Sequence, residues 1–125
     1  MKIASLIARI LLGLIFLIFG LNTFLHFIPN PPVPDLAGQF LGAMFVSHYL
    51  QLVAFLQIIG ALLLLTNRYV PLALVVLGPI VFNVVVFHVL LAPGGLPVAL
   101  VTALLYLVVF VSVRHAFAGV FAQKA

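Results

Sequence analysis

Four long apolar runs dominate the chain, each closed by a short cluster of proline, glycine or polar residues. A helix that crosses a bilayer needs about 20 mostly apolar residues. The runs predict four such spans, at about 3–27, 48–65, 70–91 and 96–117. The punctuation agrees with them. Pro29-Asn30-Pro31-Pro32-Val33-Pro34 ends the first run, because proline removes backbone donors and restricts the residue before it. Thr66-Asn67-Arg68 joins the second to the third, and Ala92-Pro93-Gly94-Gly95 joins the third to the fourth. Connections this short make sequential neighbours antiparallel, so the expected fold class is all-α: an integral membrane antiparallel four-helix bundle. Four spans use most of residues 1–125, which therefore read as a single membrane domain.

The segment 35–47 is too short to be a fifth span. Asp35 can cap a helix by accepting backbone N–H bonds, and Leu36, Phe40, Leu41, Met44 and Phe45 recur at helical spacing. This predicts a short interfacial helix between the first two spans, lying on the outer leaflet. A lid buried over the bundle is the alternative. Lys2 and Arg9 flank the start of the first run as they would in a signal peptide, but the run continues too far and no small-residue cleavage site follows. It reads as a retained first span.

Composition sharpens the picture. Of 125 residues, 67% are hydrophobic and 5% charged, too few charges to coat a water-facing surface. Five basic residues and one acid give a net charge of +4, but the cations are dispersed and form no nucleic-acid patch. The absence of cysteine excludes disulfides, thiolate catalysis and Cys-ligated metal centres. With four antiparallel spans, Lys2, Arg9, Arg68, Arg114 and Lys124 fall on one side and Asp35 on the other. By the positive-inside rule both termini are expected on the cytoplasmic side, with the proline-rich loop and the 93–95 turn facing out, into the periplasm if the source is a double-membraned bacterium.

Polar residues inside apolar runs are costly, so they mark interior faces or cavities. Asn22, His26, His48, Gln51 and His88 lie toward the outer ends of their spans; Gln57, Asn83 and Tyr106 lie nearer the middle. Three histidines from three spans thus share one level beneath the proline-rich loop. Together with Asn22, Gln51 and Asn83 they form the candidate ligand-binding set, although interfacial histidines can equally bond to water, headgroups or loop carbonyls. A quinone headgroup suits such a set, because imidazole and amide groups bond quinone oxygens and neutral imidazole relays protons. A haem or metal is the weaker alternative, since no tight ligand spacing such as His-x-x-x-His occurs.

Arg9, Gly13, Phe16, Gly20 and Thr23 form one stripe on the first span. Small residues so spaced let helices approach closely in lipid, and Gly60 and Gly78 read the same way. Arg9, Arg68 and Arg114 read as charge anchors; Arg9 can snorkel to the inner headgroups or meet an anionic group inside the bundle. Pro79 frees the carbonyl of Val75 and is expected to kink the third span, with Asn83 one turn on to satisfy freed backbone or bridge to another helix. The orders Asn22…His26…Pro29 and Asn83…His88…Pro93 hint at two related helix pairs about an axis along the membrane normal.

Over nearly its whole length the chain resembles the DoxX family of small four-helix bacterial membrane proteins. The resemblance rests on Arg9-x3-Gly13-x2-Phe16-x3-Gly20-Leu21-Asn22, on Gln57-Ile-Ile-Gly60-Ala-Leu-Leu-Leu-Leu65, on the basic turn at Arg68 and on His88 near the end of the third span. It implies a membrane subunit of a redox complex, since the family is named after the small membrane subunit of a thiosulfate:quinone oxidoreductase. Two departures matter: the family commonly has lysine where this chain has Thr23, and an acid where it has Gln57.

Two functional readings follow. In one, the chain lends a quinone pocket and helix faces to an oxidoreductase partner subunit that carries the redox centre. In the other, it is a non-enzymatic scaffold or small permeation unit, embedded in membrane lipid, alone or as a homo-oligomer. Proton-coupled transport is disfavoured because the midplane lacks ionisable carboxylates, and hydrolase or transferase chemistry because Asp35 is the single acid.

Overall fold

Side chains that are apolar on every face leave the backbone one way to satisfy its own N–H and C=O groups in a non-aqueous solvent, which is to form helices. The computed structural model describes residues 2–26 and 35–122, apart from the side chains of Asp35 and Phe121. Within them the chain forms α1 (Lys2–Leu25), α2 (Asp35–Val46), α3 (Tyr49–Leu65), α4 (Val70–Leu90) and α5 (Leu96–Ser112), with 3₁₀ turns at Pro93–Gly95 and Arg114–Phe121. No strand occurs among the described residues. Phe27, the proline-rich stretch 29–34, the expected Asp35 side-chain cap and Lys124 lie outside the described set.

Three helical segments are long and apolar enough to cross a membrane: Lys2–Leu25, Val70–Leu90 and Pro93–Ser112. Leu36–Val46 and Tyr49–Leu65 make a fourth when the two, bent by 81°, count as one broken span. The protein is thus compatible with a multi-pass membrane protein. At 17 residues α3 is roughly 26 Å long, somewhat short of the hydrocarbon thickness. The corner between α2 and α3 turns on His48, which adopts a left-handed backbone with φ 64°.

α1 packs against α3 and α5, and α4 packs against the same two helices. Glycines make the closest approaches. A Cβ on Gly13 would stand 2.8 Å from Leu65 Cγ and 3.3 Å from the Ala61 carbonyl oxygen. A Cβ on Gly20 would stand 2.8 Å from Ile58 Cγ1 and 3.2 Å from the Ala54 carbonyl oxygen. Gly60 admits the Leu77 side chain between α3 and α4. Leu12, Phe16, Ala61, Leu64, Leu74, Leu77 and Val109 form the centre of the core. Ile3, Phe82, Leu104 and many other large apolar side chains remain on the outside, as expected where the solvent is lipid.

The end of α3 is built from three donors. Asn67, left-handed at φ 55°, donates its backbone N–H to Leu64, and Arg68 donates its N–H to Leu63, a Schellman closure with asparagine in place of glycine. Arg9 reaches across from α1 and donates from Nη1 to the Leu64 carbonyl oxygen. The α3 C-terminus, with its partial negative charge, thus gives Arg9 a partner inside the protein.

The fourth span also departs from expectation, since α5 stops at Ser112 rather than continuing to 117. The Ser112 hydroxyl donates to the Val109 carbonyl at 2.6 Å, and the Val113 N–H bonds back three residues to Phe110. The β-branched Val111 and Val113 flank this point, and the chain tightens into 3₁₀ geometry.

Gly20→Ala should destabilise the detergent-solubilised protein by about 1–3 kcal/mol, because the nearby Ala54 carbonyl belongs to rigid backbone. Gly42→Ala, inside α2 with nothing within 4 Å of its Cβ position, should be neutral or gain about 0.5–1 kcal/mol. Thermal unfolding of the two variants checks both signs.

Candidate functional site

Folding α2 back at the His48 corner leaves a cleft of about 930 Å³ between α2, α3 and α4. Its walls are mainly apolar: Phe40, Leu41 and Met44 from α2, Leu50 and Val53 from α3, Ile80, Val84 and Phe87 from α4. The Phe40 and Phe87 rings meet at 5.7 Å and tie α2 to α4 across it. Ala37, fully buried, seats α2 on the rest of the molecule. The expected helix at 35–47 therefore forms, and it packs on α3 and walls this cleft.

Few polar side chains reach the cleft, and α4 supplies two of them. Asn83 donates from Nδ2 to the Pro79 carbonyl at 2.7 Å, one turn back on its own helix. That bond pins the amide while leaving Oδ1 and a second N–H available. Val75, whose carbonyl Pro79 frees, is not its partner, and among the described residues Asn83 makes no bridge to another helix. His88 Nδ1 lies 2.8 Å from the Val84 carbonyl oxygen. A carbonyl only accepts, so Nδ1 carries the proton and Nε2 presents the lone pair in the neutral ring. The ring stands edge-on to Phe87, with centroids 5.3 Å apart. Beneath it sits Gly95, where an added Cβ would come within 2.4 Å of Nε2, so the glycine makes room for the imidazole. Gln57 and Tyr49 from α3 and Ser47 from the corner complete the polar lining.

The cleft thus gathers Asn83, His88 and Gln57 of the residues singled out in the sequence; Asn22, His26, His48 and Gln51 do not line it. His26 lies just past α1, left-handed at φ 54°, with its ring 6.0 Å from that of Phe45. His48 is exposed at the α2–α3 corner. Among the described residues no three His, Asp or Glu side chains come together as a metal-ligand group. His26 ends a helix whereas His88 lies within one, so the two Asn–His patterns do not occupy equivalent local structures. Gln51 Oε1 is buried without a hydrogen-bond partner among the described residues.

Two contributors escaped the sequence reading. Phe87 lay hidden in an apolar run, and Ser47 was not singled out; neither carried a signal apart from the fold. Tyr106, from α5, supplies a structural bond instead of lining the cleft: its hydroxyl donates to the Leu74 carbonyl at 2.7 Å and packs on Gly78. This cross-link holds the α4 segment just before Pro79.

A scan of protein-family models and searches of curated proteins and of solved structures return no match to this chain.

Gly95→Ala should displace the His88 ring, whereas Gly94→Ala, whose Cβ position is open, should not. The imidazole NMR signals of His88 in detergent micelles report this directly: a shift in the first variant alone is expected, and an unmoved signal in both contradicts the packing.

Proposed function

We propose that the protein is a DoxX-like four-helix bundle of the bacterial plasma membrane that binds a quinone-type ligand in the α2–α3–α4 cleft. It serves there as the membrane subunit of a quinone-linked redox complex. The observation that carries this reading is the chemistry of the cleft. Its walls are apolar and aromatic, and its oriented polar groups, Asn83 and His88, lie a little over one turn apart on one helix. Such a site, mostly apolar with a few fixed hydrogen-bonding groups, suits a flat lipophilic ring carrying carbonyl oxygens. Asn83 has an N–H left to donate to a quinone oxygen, and neutral His88 has a lone pair at Nε2 to accept the O–H of the reduced form. The volume matches a ring with the first part of its tail.

In this reading the chain positions the ligand, and a partner subunit supplies the electrons. α2, at 81° to α3, lies in the plane of the outer leaflet and covers the cleft from that side. Lys2, Arg9, Arg68 and Arg114 sit at the end where α1 begins and where α3 and α5 finish. That end faces the cytoplasm by the positive-inside rule.

The site is tested by equilibrium dialysis of a short-chain quinone against the full chain in nanodiscs. His88→Ala and Asn83→Ala should each weaken binding about 5- to 10-fold, the worth of one lost hydrogen bond. His26→Ala and His48→Ala should leave it unchanged. Equal binding by all four variants and the parent removes the cleft as the site. Topology is tested separately on the naturally cysteine-free chain. In intact spheroplasts a membrane-impermeant maleimide should label Gly94→Cys and spare Ala116→Cys until lysis; the opposite pattern inverts the orientation.

A further inference from the structure

A second cavity, of about 440 Å³, lies at the other end of the molecule, between the start of α1 and the end of α5. It is lined by Lys2, Ser5, Val111, Ser112, Arg114 and His115. Two permanent cations and an imidazole thus meet in one concavity. The chain's one acidic residue, Asp35, begins α2, at the far end of the molecule. Among the described residues the cations are not spent on the protein. Arg114 uses Nη1 for a single long bond, 3.3 Å, to the Val111 carbonyl, leaving most of its five N–H donors. The two serine hydroxyls donate to the Lys2 and Val109 carbonyls, which quiets backbone oxygens that would repel an anion. The positive end of the α1 dipole adds to the same field.

The surroundings say what kind of anion fits. Ile3 and Ile7 on α1 and Val111 on α5 are exposed apolar side chains next to the cationic group, and Val120 follows it. A soluble anion would gain nothing from them. An anionic phospholipid would lay its acyl chains along these faces while its phosphate met Lys2 and Arg114. We propose that this cavity, formed by Lys2, Arg114 and His115 between the ends of α1 and α5, is a binding site for the phosphate of an anionic phospholipid. It is independent of the quinone cleft, which shares none of its residues.

Native mass spectrometry of the full chain, released from detergent containing phosphatidylglycerol or phosphatidylcholine in equal amounts, reads the site. The expected result is a single preferentially retained phosphatidylglycerol. The Lys2→Gln/Arg114→Gln double variant should lose it by about 30-fold, the effect of two near-surface cations. Arg114→Lys, which keeps the charge, should retain it, and so should Arg68→Gln, which removes a cation outside the cavity. Retention unchanged in the double variant, or equal for the two lipids, overturns the proposal. Displacement of the lipid by millimolar inorganic phosphate reassigns the site to a soluble anion and overturns it equally.

Discussion

The end of α3 sets the constraint on which the rest of the structure depends. A helix leaves its last carbonyls without intrahelical donors, and a chain this apolar has few groups to offer them. Here the donors are two backbone amides of the 67–68 turn and the guanidinium of Arg9. Arg9 comes from a different helix, so capping α3 also fixes the register of α1 against it. Gly13 then falls opposite Leu65 and Ala61, and Gly20 falls opposite Ile58 and Ala54. One charged hydrogen bond and two missing side chains thus lock the closest helix pair, where apolar packing alone would leave sliding alternatives close in energy. The other end of α3 is consequently fixed too, and with it the corner from which α2 folds back.

The same economy governs the other polar side chains. Thr23, Thr66 and Thr102 each bond a carbonyl four residues back on their own helix. Asn83 and His88 do likewise, and both line the α2–α3–α4 cleft, which none of the three threonines does. Tyr106 spends its hydroxyl on α4 near Pro79, bracing the segment that carries both residues.

The helices were legible in the sequence because their cause is local. Apolar runs, prolines and the Thr66-Asn67-Arg68 turn set their existence and most of their ends. What escaped was set by geometry between elements. Residue counting places His26, His48 and His88 at similar depth, but depth says nothing of direction around each axis. Two of the three also leave helical geometry at left-handed corners, which periodicity cannot register. The Leu64 partner of Arg9 was not legible because it is a backbone carbonyl, which every residue possesses and no motif marks. The early stop of α5 rests on one serine hydroxyl competing for a carbonyl. Asn83 and His88, on one helix near a proline, were legible as polar exceptions; their aromatic neighbour Phe87 was not.

The proposed function requires a flat lipophilic ligand in the α2–α3–α4 cleft. Photoaffinity labelling with an azido-quinone in nanodiscs, followed by peptide mapping, tests it most directly. Adducts should concentrate on Met44, Asn83 and Phe87 and be competed away by unmodified quinone. Adducts spread over the outward faces of α1 and α5, or insensitive to competitor, would contradict it.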